Sequence, residues 1–114
     1  MNATESAYIV QCKEGPCMAC LVWAESGRAP IGFSPWIGCD FHHFKSGNKR
    51  RGHLFGCGLC PWHHRGVPDW GCIAPEMRIH YGPSLMDGSR LFHETYGSDD
   101  ELLALQKRVN DGLH

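Results

Sequence analysis

The stretch Cys57–Gly66, with the sequence CGLCPWHHRG, sets the architecture of the chain because it places metal ligands between a strand and a helix. Two residues separate Cys57 from Cys60, and two separate Cys60 from His63. Side chains at this spacing on a turn can hold one zinc ion together. Pro61 is typical of the first position of a helix. The stretch therefore predicts a strand, a metal-binding turn and a short helix in succession.

The other half of a zinc site is found in the segment PCMAC, where Cys17 and Cys20 have the same spacing about 40 residues earlier. Two such pairs predict a closed tetrahedral site made of Cys17, Cys20, Cys60 and either His63 or Cys57. The alternative is a set of buried free thiols, since an unbound cysteine behaves as a small apolar residue.

The cysteine count points in the same direction. Seven cysteines cannot all pair within one chain, and the start MNATESAYIVQCKEG has neither a basic region nor a long apolar run. We expect such a chain in the reducing cytoplasm, with no membrane span, where clustered cysteine and histidine bind metal. Fourteen glycines and seven prolines also predict a thin core, which zinc would strengthen by about 10 kcal/mol. Cys12, Cys39 and Cys72 are expected to be buried thiols, although Cys12 or Cys57 can join a zinc site.

Local patterns predict a single α+β domain over residues 12–114, preceded at residues 1–11 by an arm or a short strand. The segment APIGFSPWIGCDFHHF indicates a loop that leads into a strand over residues 37–44. A loop, KSGNKRRGH, follows, and LFGCGLC then indicates a second strand.

The C-terminal third is expected to be helical. One helix is predicted from about Asp87 to Tyr96, where Gly97 ends it. Ser98 and Glu101 have the spacing of a capping box, in which each side chain bonds the other residue's backbone amide. This pair predicts the start of a last helix that ends near Asn110.

Two adjacent histidines, His42 and His43, lie at the end of the first predicted strand, and a second pair follows at His63 and His64. Neighbouring side chains on a strand point to opposite faces. One imidazole can then bind a divalent metal while the other stays free as a general base with a pKa near neutrality. This division of roles suits phosphodiester hydrolysis, in which a metal neutralises the phosphate and a base activates water.

The charge distribution is uneven along the chain. Between Phe41 and Gly66 there is no acidic residue, whereas four acids and no base lie between Glu94 and Glu101. Such asymmetry favours a face for an anionic partner such as DNA, and the alternative is a solvated loop. The basic residues of the first segment are Lys45, Lys49, Arg50, Arg51 and Arg65.

The order of the motifs resembles that of a known nuclease family. CMAC, DFHHF and LCPWHH together resemble the ββα-metal core of HNH endonucleases. With KSGNKRRGH, GPSL and GSRLFHETYGSDDELLALQ, the chain over roughly residues 12–108 resembles the Ref family of phage and prophage recombination-enhancement nucleases. The resemblance implies a small zinc-stabilised ββα-metal (HNH) core with C-terminal helices. It also implies a metal-dependent DNA endonuclease that acts where a RecA filament has paired strands.

The partners implied are DNA, single-stranded or RecA-bound, and the RecA filament itself. Some family members carry a basic N-terminal extension, whereas MNATESAYIVQ is short and not basic.

The resemblance also implies a role for each histidine of the two pairs. His42 would bind the catalytic metal, His43 would be the general base, and His64 would be the other metal ligand. His63 would complete the structural zinc site. The implied cofactors are a structural Zn²⁺ and a catalytic Mg²⁺, Mn²⁺ or Zn²⁺.

Two positions depart from the HNH pattern. The middle asparagine has no match, because Phe55 stands five residues before Cys60. Asn48 or His53 would instead orient the base or contact phosphate. His80, in RIHYGPS, is the best candidate for a third metal ligand, and the alternative for it is a packed or surface histidine.

Two functions of other classes compete with an endonuclease. One is a non-catalytic zinc-binding DNA module, in which all the ligands are structural and the basic loop contacts phosphates. The other is a zinc knuckle that binds a recombinase without touching DNA. The number of metal ions bound per chain distinguishes the module from a nuclease: two tightly closed sites indicate the module, and one tight zinc with a weaker, exchangeable metal indicates a nuclease. If neutralising Lys49, Arg50 and Arg51 leaves DNA binding unchanged, the knuckle that binds a recombinase is favoured.

Overall fold

A long β-hairpin followed by a short helix lies at the centre of the fold. In a computed structural model that describes all 114 residues, strand β1 (Asp40–His43) pairs antiparallel with β4 (Gly56–Leu59). The tip of the same hairpin forms β2 (Lys45–Ser46) and β3 (Lys49–Arg50). Helix α3 (Pro61–Arg65) follows β4 directly, with Pro61 in its first turn as predicted. The strand–turn–helix order predicted for the opening stretch is confirmed.

Five further helices surround this hairpin, so the protein is a small α+β fold with short antiparallel sheets, as expected. A single 3₁₀ turn at Leu85–Asp87 precedes α5. The helices are α1 (Ala3–Glu14), α2 (Met18–Glu25), α4 (Ala74–Tyr81), α5 (Ser89–Tyr96) and α6 (Asp99–Asn110).

The core lies between the hairpin and the surrounding helices. Trp62 of α3, Met18 of α2 and Phe92 of α5 are among its largest buried side chains, together with Phe44 and Leu59 of the hairpin. Because α2 and α3 carry the predicted metal ligands, this packing brings the two halves of the zinc site together.

Helices α1 and α6 cover strand β4. The Tyr8 hydroxyl donates to the Gly56 carbonyl at 2.8 Å, and the buried Gln106 accepts from the Gly58 amide at 2.8 Å. A Cβ atom at Gly58 would lie 2.5 Å from the carbonyl oxygen of Cys12, so only glycine permits this approach of α1. The backbone groups on this edge are thus paired by side chains, which prevents the strand from pairing with another chain.

The N-terminal residues differ from the expectation. Instead of an arm or short strand over residues 1–11, they form α1, which continues to Glu14. Asn2 and Glu5 form a capping box at its start, and such a box favours helix over strand. Packing against β1 and β4 then holds the helix in place, and Gln11 donates to the carbonyl of Asn110 at 3.1 Å.

The other helices agree in part with the predictions. The last helix is confirmed, with Ser98 and Glu101 forming the predicted capping box. The helix expected from Asp87 begins instead at Ser89, because Gly88 has a φ of 120° and separates it from the 3₁₀ turn. Local patterns do not predict helices α2 and α4, since glycine, proline and cysteine around them indicate turns.

Candidate active site and metal centre

The four residues Cys17, Cys20, Cys60 and His63 form one buried cluster between α2 and α3. Cys17 precedes α2 and Cys60 precedes α3, and each sulfur accepts the amide of the residue three positions later at 3.4 Å. This is the knuckle geometry that the x-x spacing predicts. The cluster contains His63 and not Cys57, which resolves the alternative that the spacing left open.

The donor atoms of the cluster fit a tetrahedral zinc ion. The Nδ1 atom of His63 lies 3.5 Å from the sulfurs of Cys17 and Cys20 and 3.1 Å from that of Cys60. The sulfurs of Cys20 and Cys60 are 4.0 Å apart. Usual zinc–sulfur and zinc–nitrogen bond lengths give tetrahedral edges of about 3.8 Å between sulfurs and about 3.5 Å from sulfur to nitrogen. All four donor atoms lie within 4.8 Å of one another, so the group could hold a zinc ion.

Contacts around the cluster prepare His63 and Cys60 for a metal. The Nε2–H group of His63 donates to the Tyr81 carbonyl at 2.8 Å, which leaves Nδ1 with a free lone pair towards the sulfurs. Burial raises the pKa of Cys17, whereas hydrogen bonding with Cys17 and Cys20 lowers the pKa of Cys60. The cluster thus already favours a thiolate at Cys60, the form that binds metal.

The adjacent histidines of β1 face opposite sides of the strand, as alternation requires. The ring of His42 packs beside Phe44 and lies with its centroid 5.3 Å from that of His64 on α3. Burial, assisted by the charges of His64 and His93, lowers the pKa of His42 to about 4. His42 is therefore neutral at physiological pH, as a metal ligand must be.

On the other face of β1, the ring of His43 packs edge-on against Phe41. Its Nε2 atom lies 3.4 Å from Nδ1 of His53, which comes from the segment between β3 and β4. Partial burial, with the charges of Arg50 and His53, lowers the pKa of His43 below its usual value. If the His53 contact holds the Nε2 proton, the Nδ1 atom of His43 remains free as a base.

His64 is oriented by a carboxylate that the sequence did not single out. Its Nδ1–H group donates to Oδ2 of Asp40 at 3.0 Å, and Arg65 donates to the same oxygen at 2.7 Å. Burial alone would raise the pKa of Asp40, but these two hydrogen bonds outweigh it and keep that pKa below the usual value. The arrangement leaves Nε2 of His64 available to a metal, as in other carboxylate–histidine pairs.

Two clefts meet at His42 and His43. One, of about 430 Å³, also contacts His64 and Arg65, and the other, of about 290 Å³, also contacts His93. Two of the predicted metal ligands, His42 and His64, thus line the larger cleft together with the predicted base His43. Sequence reasoning missed three residues of this region, namely Asp40, His93 and Asp99. For Asp40 a signal was available, because an acid stands there two positions before a histidine pair.

The basic residues of the hairpin differ in whether an acid pairs with them. Lys45, Lys49 and Arg50 are exposed on the tip, and Lys45 and Arg50 line the larger cleft. Arg51 instead pairs with Asp100 at 2.9 Å. Asn48 is exposed in the turn between β2 and β3.

The structure does not bring His80 to the histidine pair. His80 is exposed on α4, and its backbone carbonyl accepts the indole N–H of Trp23 at 2.8 Å. It contacts neither of the clefts that contain His42. The chain does return to this region, but through α5 and not α4, because the 3₁₀ turn and Gly88 redirect it.

A family model described as "Recombination enhancement, RecA-dependent nuclease" matches residues 1–110. The chain belongs to this family. The resemblance to recombination-enhancement nucleases is thereby confirmed. The family's name implies a RecA-dependent nuclease of recombination, and such a role suggests DNA as the substrate. No curated protein sequence matches the chain. None of the nuclease's helices combines the length and apolar character that crossing a membrane requires.

Proposed function

We propose that the protein is a metal-dependent DNA endonuclease of the HNH type that acts on DNA bound by a RecA filament. The observation that carries the proposal is the convergence of His42, His43 and His64 on one cleft beside a Cys₃His cluster. The family's description as RecA-dependent nucleases supports both the reaction and the partner. Cys17, Cys20, Cys60 and His63 would hold a structural zinc that fixes α3, and α3 in turn holds His64 against β1.

The histidines divide into a general base and a pair of metal ligands. His43 accepts the proton of the attacking water through Nδ1, while His53 holds its other nitrogen. As the water oxygen attacks phosphorus, the bond to the leaving sugar oxygen breaks, and that oxygen takes a proton from solvent water. His42 and His64 would hold a divalent cation, Mg²⁺, Mn²⁺ or Zn²⁺, which when bound supplies positive charge to the phosphate.

The hairpin tip would position the substrate. Lys45 and Arg50 line the cleft, and Lys49 is exposed on the same hairpin tip. None of the three forms an ion pair with an acid, so their charge is available to DNA phosphates. Such contacts set the register of the backbone and carry little base specificity. Arg65 is bonded to Asp40 and contributes by holding the carboxylate that orients His64.

The test is cleavage of labelled DNA across divalent metals, with and without a RecA filament. We expect cleavage that needs a divalent cation, is strongest in the presence of RecA and is lost in His43→Ala. DNA binding with no cleavage under any of these conditions would support the zinc-binding DNA module instead. Two tightly held metals per chain would favour the same module, whereas one tight zinc and one exchangeable metal support the nuclease.

A further inference from the structure

An acid–histidine pair, His93 and Asp99, lines the smaller cleft together with His42 and His43. His93 is in the last turn of α5, and Asp99 is the first residue of α6. Both contact the cleft of about 290 Å³ that also contains His42. The short connection through Gly97 and Ser98 brings the two side chains together, with 3.5 Å between Nε2 of His93 and Oδ1 of Asp99.

The orientation of His93 is set by the end of its own helix. Its Nδ1 atom lies 2.9 Å from the carbonyl oxygen of Gly97, and because a carbonyl can only accept, Nδ1 carries the proton. In the neutral ring, Nε2 therefore presents a lone pair to the carboxylate of Asp99. A neutral His93 and Asp99 thus face each other as two acceptors, and either a proton on Nε2 or a cation bound by both atoms would make the contact favourable.

Asp99 shows the same requirement independently. Its Oδ1 atom is buried and has no hydrogen-bond partner, and it is the only such side-chain atom in the protein. The separation of 3.5 Å from Nε2 of His93 is longer than a charge-assisted hydrogen bond of about 2.7–2.9 Å. It is close to the distance of about 3.4 Å between two ligands of one tetrahedral metal ion.

We propose that His93 and Asp99 are further ligands of the divalent cation bound at His42, and that α5 and α6 thereby complete the metal site. The inference rests on the proposed function for the role of that cation. It replaces His80 as the source of the additional ligand. A mixed set of imidazole and carboxylate ligands suits Mn²⁺, Co²⁺ or Zn²⁺.

The experiment is a titration of the zinc-loaded protein with Co²⁺. Cobalt bound to imidazole and carboxylate gives weak visible bands, whereas cobalt bound to thiolate gives intense charge-transfer absorption, so the spectrum separates this site from the Cys₃His cluster. The variants are His93→Gln, which keeps a donor for Gly97, and Asp99→Asn. Asp100→Asn is the matched control, because Asp100 is the exposed neighbour in the same helical turn.

We expect His93→Gln and Asp99→Asn each to weaken Co²⁺ binding by about 10- to 100-fold, and Asp100→Asn to leave it unchanged. Zinc content and the unfolding temperature are measured on every variant. If the pair were only a structural ion pair, Asp99→Asn would lower the unfolding temperature and leave Co²⁺ affinity at the wild-type value. That result would overturn the proposal.

The titration is independent of DNA cleavage. Wild-type protein that cleaves DNA while His93→Gln and Asp99→Asn retain full Co²⁺ affinity would refute the additional ligands and leave the nuclease standing. Wild-type protein that binds Co²⁺ through these residues but never cleaves DNA would support the ligands and refute the nuclease.

Discussion

Asp40 of β1 accepts a hydrogen bond from His64 of α3, with 3.0 Å between Oδ2 and Nδ1. The bond crosses from the strand to the helix and leaves Nε2 of His64 as the free nitrogen. The pair His42 and His43 alone therefore does not define the site, because the orientation of the His64 ring depends on the Asp40 carboxylate.

The variant Asp40→Asn tests that dependence. It keeps an acceptor oxygen but removes the charge, and we expect the affinity for the exchangeable metal to fall by about 10- to 100-fold. Isothermal titration on zinc-loaded protein measures it. Asp111→Asn, at an exposed position after α6, is the control for removal of one negative charge. Equal affinities of wild type and Asp40→Asn would show that Asp40 does not position His64.

The variant His43→Ala tests the general base. Removal of a general base typically costs about 10²- to 10⁴-fold in rate, and we expect a decrease in this range with metal affinity preserved. His80→Ala is the comparison, because His80 is also a histidine but is exposed away from the cleft. Single-turnover cleavage assays measure both rates. A strong decrease of cleavage or of metal affinity in His80→Ala would restore the ligand role that its sequence position suggested.

Removal of zinc should unfold the protein. Zinc binding to a small domain contributes about 10 kcal/mol or more, and the whole stability of a domain is about 5–15 kcal/mol. We expect chelation, or Cys60→Ala, to abolish the cooperative thermal transition followed by circular dichroism. Restoration of the transition by zinc in the chelated wild type is the control, and a chelated protein that still melts cooperatively would contradict the expectation.

The reactivity of each cysteine towards a thiol-labelling reagent tests whether zinc protects the Cys₃His cluster. Cys72 is the only cysteine that is not buried, so it should react first in the zinc-loaded protein. Burial raises the pKa of Cys12 to about 11 and that of Cys39 to about 12, which keeps both as unreactive thiols at neutral pH. We expect one fast thiol with zinc and seven after chelation, counted by mass spectrometry. More than one fast thiol before chelation would show that the cluster is open.

Neutralising the hairpin tip should weaken DNA binding in a salt-dependent way. Removing one basic side chain that binds a phosphate reduces the slope of log affinity against log salt by about 1. We expect Lys49→Gln combined with Arg50→Gln to reduce that slope by about 2. Arg51→Gln is the matched control, because Arg51 already pairs with Asp100 and stacks on Phe55. Fluorescence anisotropy at several salt concentrations measures the slopes, and equal slopes in wild type and double variant would favour a knuckle that binds a recombinase.

Local sequence patterns predicted most of the cluster that could hold zinc. The x-x spacing predicted Cys17, Cys20 and Cys60 with either His63 or Cys57 as one set of ligands, because each pair is fixed by a single turn of backbone, and the structure selected His63. The capping box at Ser98 and the proline after Cys60 marked helix starts for the same reason. The conformation there depends on hydrogen bonds between residues three or four positions apart.

The set of distant side chains that share the cleft could be found only in the folded chain. Asp40 meets His64 across 24 positions, and His93 reaches the region of His42 through α5, while His80 lies elsewhere. No local pattern encodes these contacts, because they depend on how buried residues such as Phe44, Trp62 and Phe92 pack. Each half of the zinc cluster follows from short-range geometry, whereas the meeting of the two halves and the arrangement around His42 and His43 follow from the packing of the whole core.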